Sequence, residues 1–141
     1  MEEKQVVADE VCEKEFIEWC EANGIDYDVS NMNEESAEAF NKNKSTMKNA
    51  AKAGRLVFDG GKLEYTVSAK SPENYAGNVL KIGEPTGKIF TAMDGLKDTQ
   101  LFKKQTCVMS ALTGKDTGYF DKLHASDWKL LQAVVVFFLT I

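Results

Sequence analysis

Few residues in this chain have the chemistry to catalyse a reaction or hold a ligand. His124 is the only histidine. A lone histidine can act as a general base. This one stands between Leu123 and a helix start expected at Ser126, where a capping or surface role fits better. No cysteine lies near it, and no Cys/His spacing matches a zinc site. Cys107 sits between Thr106 and Val108 on an amphipathic pattern, has no base close by in sequence, and reads as a packed thiol. The run Gly83-Glu-Pro-Thr-Gly-Lys88 invites a phosphate-loop reading and fails it. Its glycines are one residue too close, and Ile89 occupies the place of the Ser or Thr that would meet magnesium. Gly114-Lys115 fails similarly, because Asp116 follows it. The acids between residues 9 and 38 lack the spacing and central glycine of a calcium loop, and read as the solvated faces of two helices. No cofactor, metal site or catalytic set is expected, and an enzyme ranks last among the readings.

The bulk numbers bound the rest. A chain of 141 residues, 43% apolar and 28% charged, has the size and make-up of one globular domain with a real core. The net charge of −5 is unevenly spread. Residues 1–50 carry 13 acids against 5 lysines, and residues 51–141 carry 9 acids against 12 bases. Arg55 is the only arginine, and an acidic first half would repel phosphate, so nucleic acid is not an expected partner. Cys12 and Cys20 lie two turns apart on a predicted helix, about 12 Å by helix rise. That is too far for a disulfide, and three unpaired cysteines fit a reducing cytoplasm. The opening Met-Glu-Glu-Lys-Gln lacks the basic and apolar regions of a signal peptide.

The element around which the chain is organised is the stretch from Ser126 to Ile141. Ser126 is its expected cap, and Asp127 falls where the helix dipole favours negative charge. Trp128, Leu131, Val135 and Phe138 form one apolar face, while Leu130, Val134, Phe137 and Ile141 cover much of the rest. A helix apolar on most sides must be buried on most sides. It is too short to cross a bilayer, which takes roughly 20 apolar residues. Two uses stay open: the central helix of the core, or a helix that keeps part of its surface for a partner. A terminal strand competes, since Val134 to Phe138 is β-branched and aromatic. Helix is preferred because cap and period begin before the valines.

Upstream, residues 7–23 read as a helix with Cys12, Phe16, Trp19 and Cys20 inward and Gly24 as its stop. A connector follows, with a short extended piece around Tyr27 and Val29. Residues 33–53 read as a second helix capped by Asn31 or Asn33, with Phe40, Met47, Ala50 and Ala51 inward and a frayed or kinked middle at Asn41–Thr46. Residues 55–68 carry a hairpin signal, with Asp59-Gly-Gly at the turn and Leu63, Tyr65 and Val67 facing inward. Residues 78–83 make a third strand. Pro85 opens a helical turn with Ile89, Phe90 and Met93 as its stripe. Asp98 caps the next helix, whose apolar face is Leu101, Phe102, Val108, Met109 and Leu112. Thr113-Gly114 breaks it, and Asp116 to Leu123 forms a short turn with Phe120 and Leu123 inward. The fold class is thus α+β: an N-terminal helical pair, a central β-hairpin extended to a three-stranded antiparallel sheet, and a C-terminal bundle of three to four helices. Charge and period both change near residues 54–55, which divides the sequence into an acidic helical region (1–54) and a hairpin-plus-helices region (55–141).

Residues 63–141 resemble the small tail assembly chaperones of long-tailed bacteriophages and prophages, contractile-tailed ones above all. The resemblance lies in the order of short motifs: Glu84-Pro85-Thr86 leading into a helix, Leu112-Thr113-Gly114 at a break, then Leu123, Asp127, Leu131, Val135 and Phe138 at regular spacing. It implies a non-catalytic protein of the host bacterial cytoplasm, absent from the mature virion, that binds the tape measure protein and the tail tube subunit during tail assembly. It also implies Phe120, Leu123, Trp128, Leu131, Val135 and Phe138 as the interaction surface, with self-association through the C-terminal helix as a further use. No membrane partner is expected. Two other readings compete: a structural tail or connector subunit, and a winged-helix DNA-binding regulator built on residues 7–53 and the hairpin.

Overall fold

The computed structural model describes residues 7–140; residues 1–6 and Ile141 lie outside these. The protein is α+β, with the expected succession of helical pair, antiparallel sheet and C-terminal helices. Helix α1 (Asp9–Asn23) ends at Gly24, whose φ of 71° lets Ile25 N–H reach back to the Cys20 carbonyl at 2.9 Å. The connector forms no strand, though Asp28 between Tyr27 and Val29 is extended, with φ of −83° and ψ of 97°. Asp28 accepts from the Ser30 N–H and closes a single 3₁₀ turn over Val29–Asn31.

Helix α2 (Glu34–Lys52) is capped by Asn33, which accepts the Ser36 N–H at 2.8 Å. Replacing Asn33 with alanine is expected to lower stability by about 1 kcal/mol. Replacing Asn31, whose amide meets only the exposed Asp28 carboxylate, should change it by less than about 0.5 kcal/mol. Thermal unfolding of the two variants checks the assignment. The middle of α2 is neither frayed nor kinked, despite its weak propensity. Lys44 and Lys48 reach Glu13 of α1 at 2.6 and 2.9 Å, and Lys48 and Lys52 each reach Asp9 at 3.3 Å. This clasp gives the polar middle of α2 tertiary support that local propensity lacks.

Strands β1 (Leu56–Asp59), β2 (Lys62–Thr66) and β3 (Val79–Ile82) form a sheet in sequence order. Gly60, with φ of 59°, turns the hairpin. Register places Leu56 opposite Tyr65, and Leu63 opposite Ile82, so Leu56, Leu63, Tyr65, Leu80 and Ile82 share the buried face. Glu64 stands opposite Lys81 on the other face, a favourable cross-strand charge pair.

The remaining helices are α3 (Lys88–Thr91), α4 (Leu101–Thr113), α5 (Thr117–Asp121) and α6 (Ala125–Leu139). Three local expectations need correction. Pro85 precedes α3 rather than opening it, and Phe90 faces outward while Ile89 is buried. Asp98 does not cap α4 but pairs with Lys104 at 3.1 Å. Ser126 does not cap α6; His124 does, its Nδ1 accepting the Ser126 N–H.

Helix α6 is the centre of the core. Leu130, Leu131, Ala133, Val134, Val135, Phe137 and Phe138 are all buried. Phe137 packs on Phe40 and Phe16 with ring centroids 5.2 and 5.6 Å apart, and Phe138 lies 5.4 Å from Trp19. The two edge-on contacts of Phe137 add about 0.5–1.5 kcal/mol each beyond area burial. Phe58 of β1 joins the same cluster through Phe16 and Trp19. The acidic helical region and the hairpin-plus-helices region therefore share one hydrophobic core, and residues 54–55 mark a change of composition rather than a gap in packing.

Candidate protein-binding groove

The first chemical feature that folding assembles is buried. Asp127, in the first turn of α6, has no exposed surface. Its carboxylate accepts four hydrogen bonds: from the Tyr65 hydroxyl, the Ser68 N–H at 3.0 Å, the Ser68 hydroxyl at 2.8 Å and the Ser71 hydroxyl. Burial pushes this carboxyl up, but the bonds from Ser71, Tyr65 and Ser68 together outweigh it and hold the acid below its ordinary value. The same site raises the Tyr65 phenol, first by burial and then by the adjacent carboxylate. Ser71 Oγ also accepts the His124 N–H at 2.8 Å. Ser71, His124 and Asp127 are thus neighbours without forming a catalytic relay. The imidazole Nδ1 meets Ser126 rather than either of them, and the carboxylate accepts every donor that reaches it. The arrangement locks the loop after β2 onto the start of α6.

Cys12 and Cys20 fit the reading of packed thiols, whereas Cys107 is half-buried and lines the open face of α4. Cys12 and Cys20 are buried and unbonded, and burial pushes the Cys20 thiol up to about 12, where it is not a nucleophile. Arg55 is half-buried, with its Nε enclosed and unbonded. Among the described residues no group of three or more His, Cys, Asp or Glu could hold a metal ion, and no helix is long and apolar enough to cross a membrane.

The second feature is open. A groove of about 690 Å³ runs between α4, α5 and α6. Phe120 and Leu123 contribute to its floor, Phe102 and Trp128 to its apolar wall, and Lys103 and Lys129 to its rim. Phe102 and Trp128 meet edge to face with centroids 5.7 Å apart. Helix α4 begins with two apolar residues that stay largely exposed, and Phe102 of this pair lines the groove. Leu101 is 54% exposed and Phe102 64%, contrary to the expectation that both face inward. Polar Gln105 and Thr106 take the inner positions of that helix instead. They are tolerated there because Gln132 donates to Gln105 at 2.9 Å and the Thr106 hydroxyl donates to the Phe102 carbonyl at 2.8 Å. The polar side chains on the groove floor are thereby tied into the fold.

The six side chains expected to form the interaction surface separate into two sets. Leu131, Val135 and Phe138 lie in the interior, each at most 2% exposed, and are not surface. Phe120 and Leu123 are nearly covered but line the groove, and Trp128 is half-buried on its wall. The expectation that the apolar face of α6 is kept for another chain is corrected, because that face is enclosed by this chain's own core. The motif residues hold junctions. The Glu84 carboxylate lies close over Gly61 of the hairpin, and the Thr86 carbonyl accepts the Ile89 N–H at 3.0 Å. Pro85 lies half-buried between them. The Leu112 carbonyl accepts the Gly83 N–H at 3.1 Å, the Thr113 hydroxyl donates to the Met109 carbonyl, and Gly114 ends α4 with φ of 76°. Phe102 and Lys103 were invisible as site residues from sequence; the only signal was the apolar pair Leu101-Phe102 at a helix start. Comparison of the chain with protein-family models, with curated proteins and with solved structures finds no match.

Proposed function

We propose that this protein is a non-catalytic binding module that takes an apolar segment of another polypeptide into the groove between α4, α5 and α6, in the role of a phage tail assembly chaperone acting on a tape measure protein in the host cytoplasm. What supports the reading is the exposure of Phe102, which meets Trp128 on the lip of that groove. Exposed aromatic side chains gathered at one place mark protein contacts more often than they mark anything else. A small molecule could fill the groove yet leave the lip uncovered, whereas a helix laid along it covers both. A long helical partner with apolar stripes needs such cover to stay in solution before assembly.

The test is co-expression with the tape measure protein encoded beside this chain. That protein is expected to be soluble with the native chain and to precipitate with a Phe102→Asp variant, whose substitution at an exposed site leaves the fold intact. Equal solubility of the tape measure protein with and without the chain overturns the reading. Mass spectrometry of purified particles separates it from a structural subunit, since a chaperone is missing from them.

A further inference from the structure

We propose that the groove is built for an amphipathic helix whose apolar stripe is flanked by acidic side chains. This rests on reading the groove as a protein-binding surface, and adds the chemistry of its occupant. The chain as a whole is acidic, with a net charge of −5, yet the groove walls are not. Lys103 stands on the α4 wall and Lys129 on the α6 wall, both exposed. Among the described residues neither forms an ion pair, whereas Lys104 next door is held by Asp98 at 3.1 Å. Helix α4 contains no acid at all. The single acid of α6 is Asp127, which is buried and already bonded by four donors. Asp121 is the one carboxylate on the groove, against two ammonium groups.

Two exposed lysines on different helices therefore line the groove against a single carboxylate, leaving it net positive. A helix seated on its floor through leucine-like side chains brings its flanking positions beside the two lysines. Acidic flanks are attracted there and basic flanks repelled, which sets partner choice and orientation more than raw affinity. Helix α1, with six acids against one lysine, repels the same partner elsewhere on the molecule, which steers it to the groove.

The experiment uses the full chain and three synthetic amphipathic peptides: a leucine stripe flanked by glutamate, the same stripe flanked by lysine, and the glutamate version with serine in place of leucine. Emission from Trp128 reports binding, because Trp19 is fully enclosed and stays constant. The glutamate-flanked leucine peptide is expected to bind about tenfold more tightly than the lysine-flanked one at low salt, the contrast of two attractive against two repulsive exposed pairs. Lys103→Glu with Lys129→Glu reverses the order, and the serine peptide does not bind. Equal binding of the two leucine peptides overturns the charge preference while leaving the groove as an apolar binding surface. No binding by either leucine peptide overturns both. A chain that sediments as a dimer, and as a monomer once Phe102 is aspartate, identifies the occupant as a second copy and overturns the proposal.

Discussion

Replacing Asp127 with asparagine is expected to destabilise the protein by about 3 kcal/mol or more, read from urea or thermal unfolding. Four donors converge on this carboxylate from Tyr65, Ser68 and Ser71. Hydrogen bonds to a buried charge are worth roughly 1.5–3 kcal/mol each, and a donor left without its acceptor carries its own desolvation penalty. Asparagine keeps one acceptor oxygen and turns an NH₂ group toward hydroxyls that must donate. Ser71→Ala, which removes one donor and leaves the carboxylate with three, is expected to cost about 1–2 kcal/mol. The pH dependence follows from the lowered acidity constant. An acid held below its ordinary value of 3.8 when folded contributes stability that is present above that value and is lost as pH falls through the folded value. The gap between native chain and Asp127→Asn should therefore be full at neutral pH and narrow below about pH 4. A gap that stays constant down to pH 2 would show that the carboxylate charge contributes nothing.

The second large effect is expected at Phe137, also on α6. Phe137→Ala should cost about 3–5 kcal/mol, because the ring is 2% exposed and lies against Phe16, Trp19 and Phe40 at 5.6, 6.0 and 5.2 Å. The loss combines the transfer of a large apolar side chain with the cavity left among rings that cannot all collapse inward. Against the usual stability of 5–15 kcal/mol this is a large fraction. Phe102→Ala, at 64% exposure, should change stability by less than about 1 kcal/mol and weaken partner binding instead. The pair of variants separates the two roles that an apolar aromatic can have here. If Phe137→Ala proved harmless to stability, α6 would not be the centre of the core.

Much of the architecture was legible because its periods are clean. Cys12, Phe16, Trp19 and Cys20 keep one face of α1, and all four are buried. Leu63, Tyr65 and Val67 alternate along β2 and continue beyond it, and all three are buried. Gly24, Gly60 and Gly114 stand where positive φ is needed. What escaped depends on contacts far apart in sequence. Asp127 read as a residue answering the helix dipole, but its partners lie 56–62 positions away and no local pattern announces them. Leu101 and Phe102 read as inward because they are apolar and helical. Whether an apolar residue is covered depends on which neighbour arrives, and at that end of α4 only Trp128 does, leaving both residues more than half exposed. The polar middle of α2 failed on propensity and held through the Lys44 and Lys48 clasp to α1. Half of the expected interaction surface turned out to be interior for the same reason: greasiness alone does not say whose core a side chain enters.

The order of the elements along the chain has a consequence for synthesis. Phe16, Trp19 and Phe40 leave the ribosome long before Phe137 and Phe138, the rings they close against. Tyr65, Ser68 and Ser71 likewise precede the carboxylate that gathers them. Until α6 emerges, Phe16, Trp19, Phe40 and Phe58 have only one another to pack against, and the rings that complete their cluster come last.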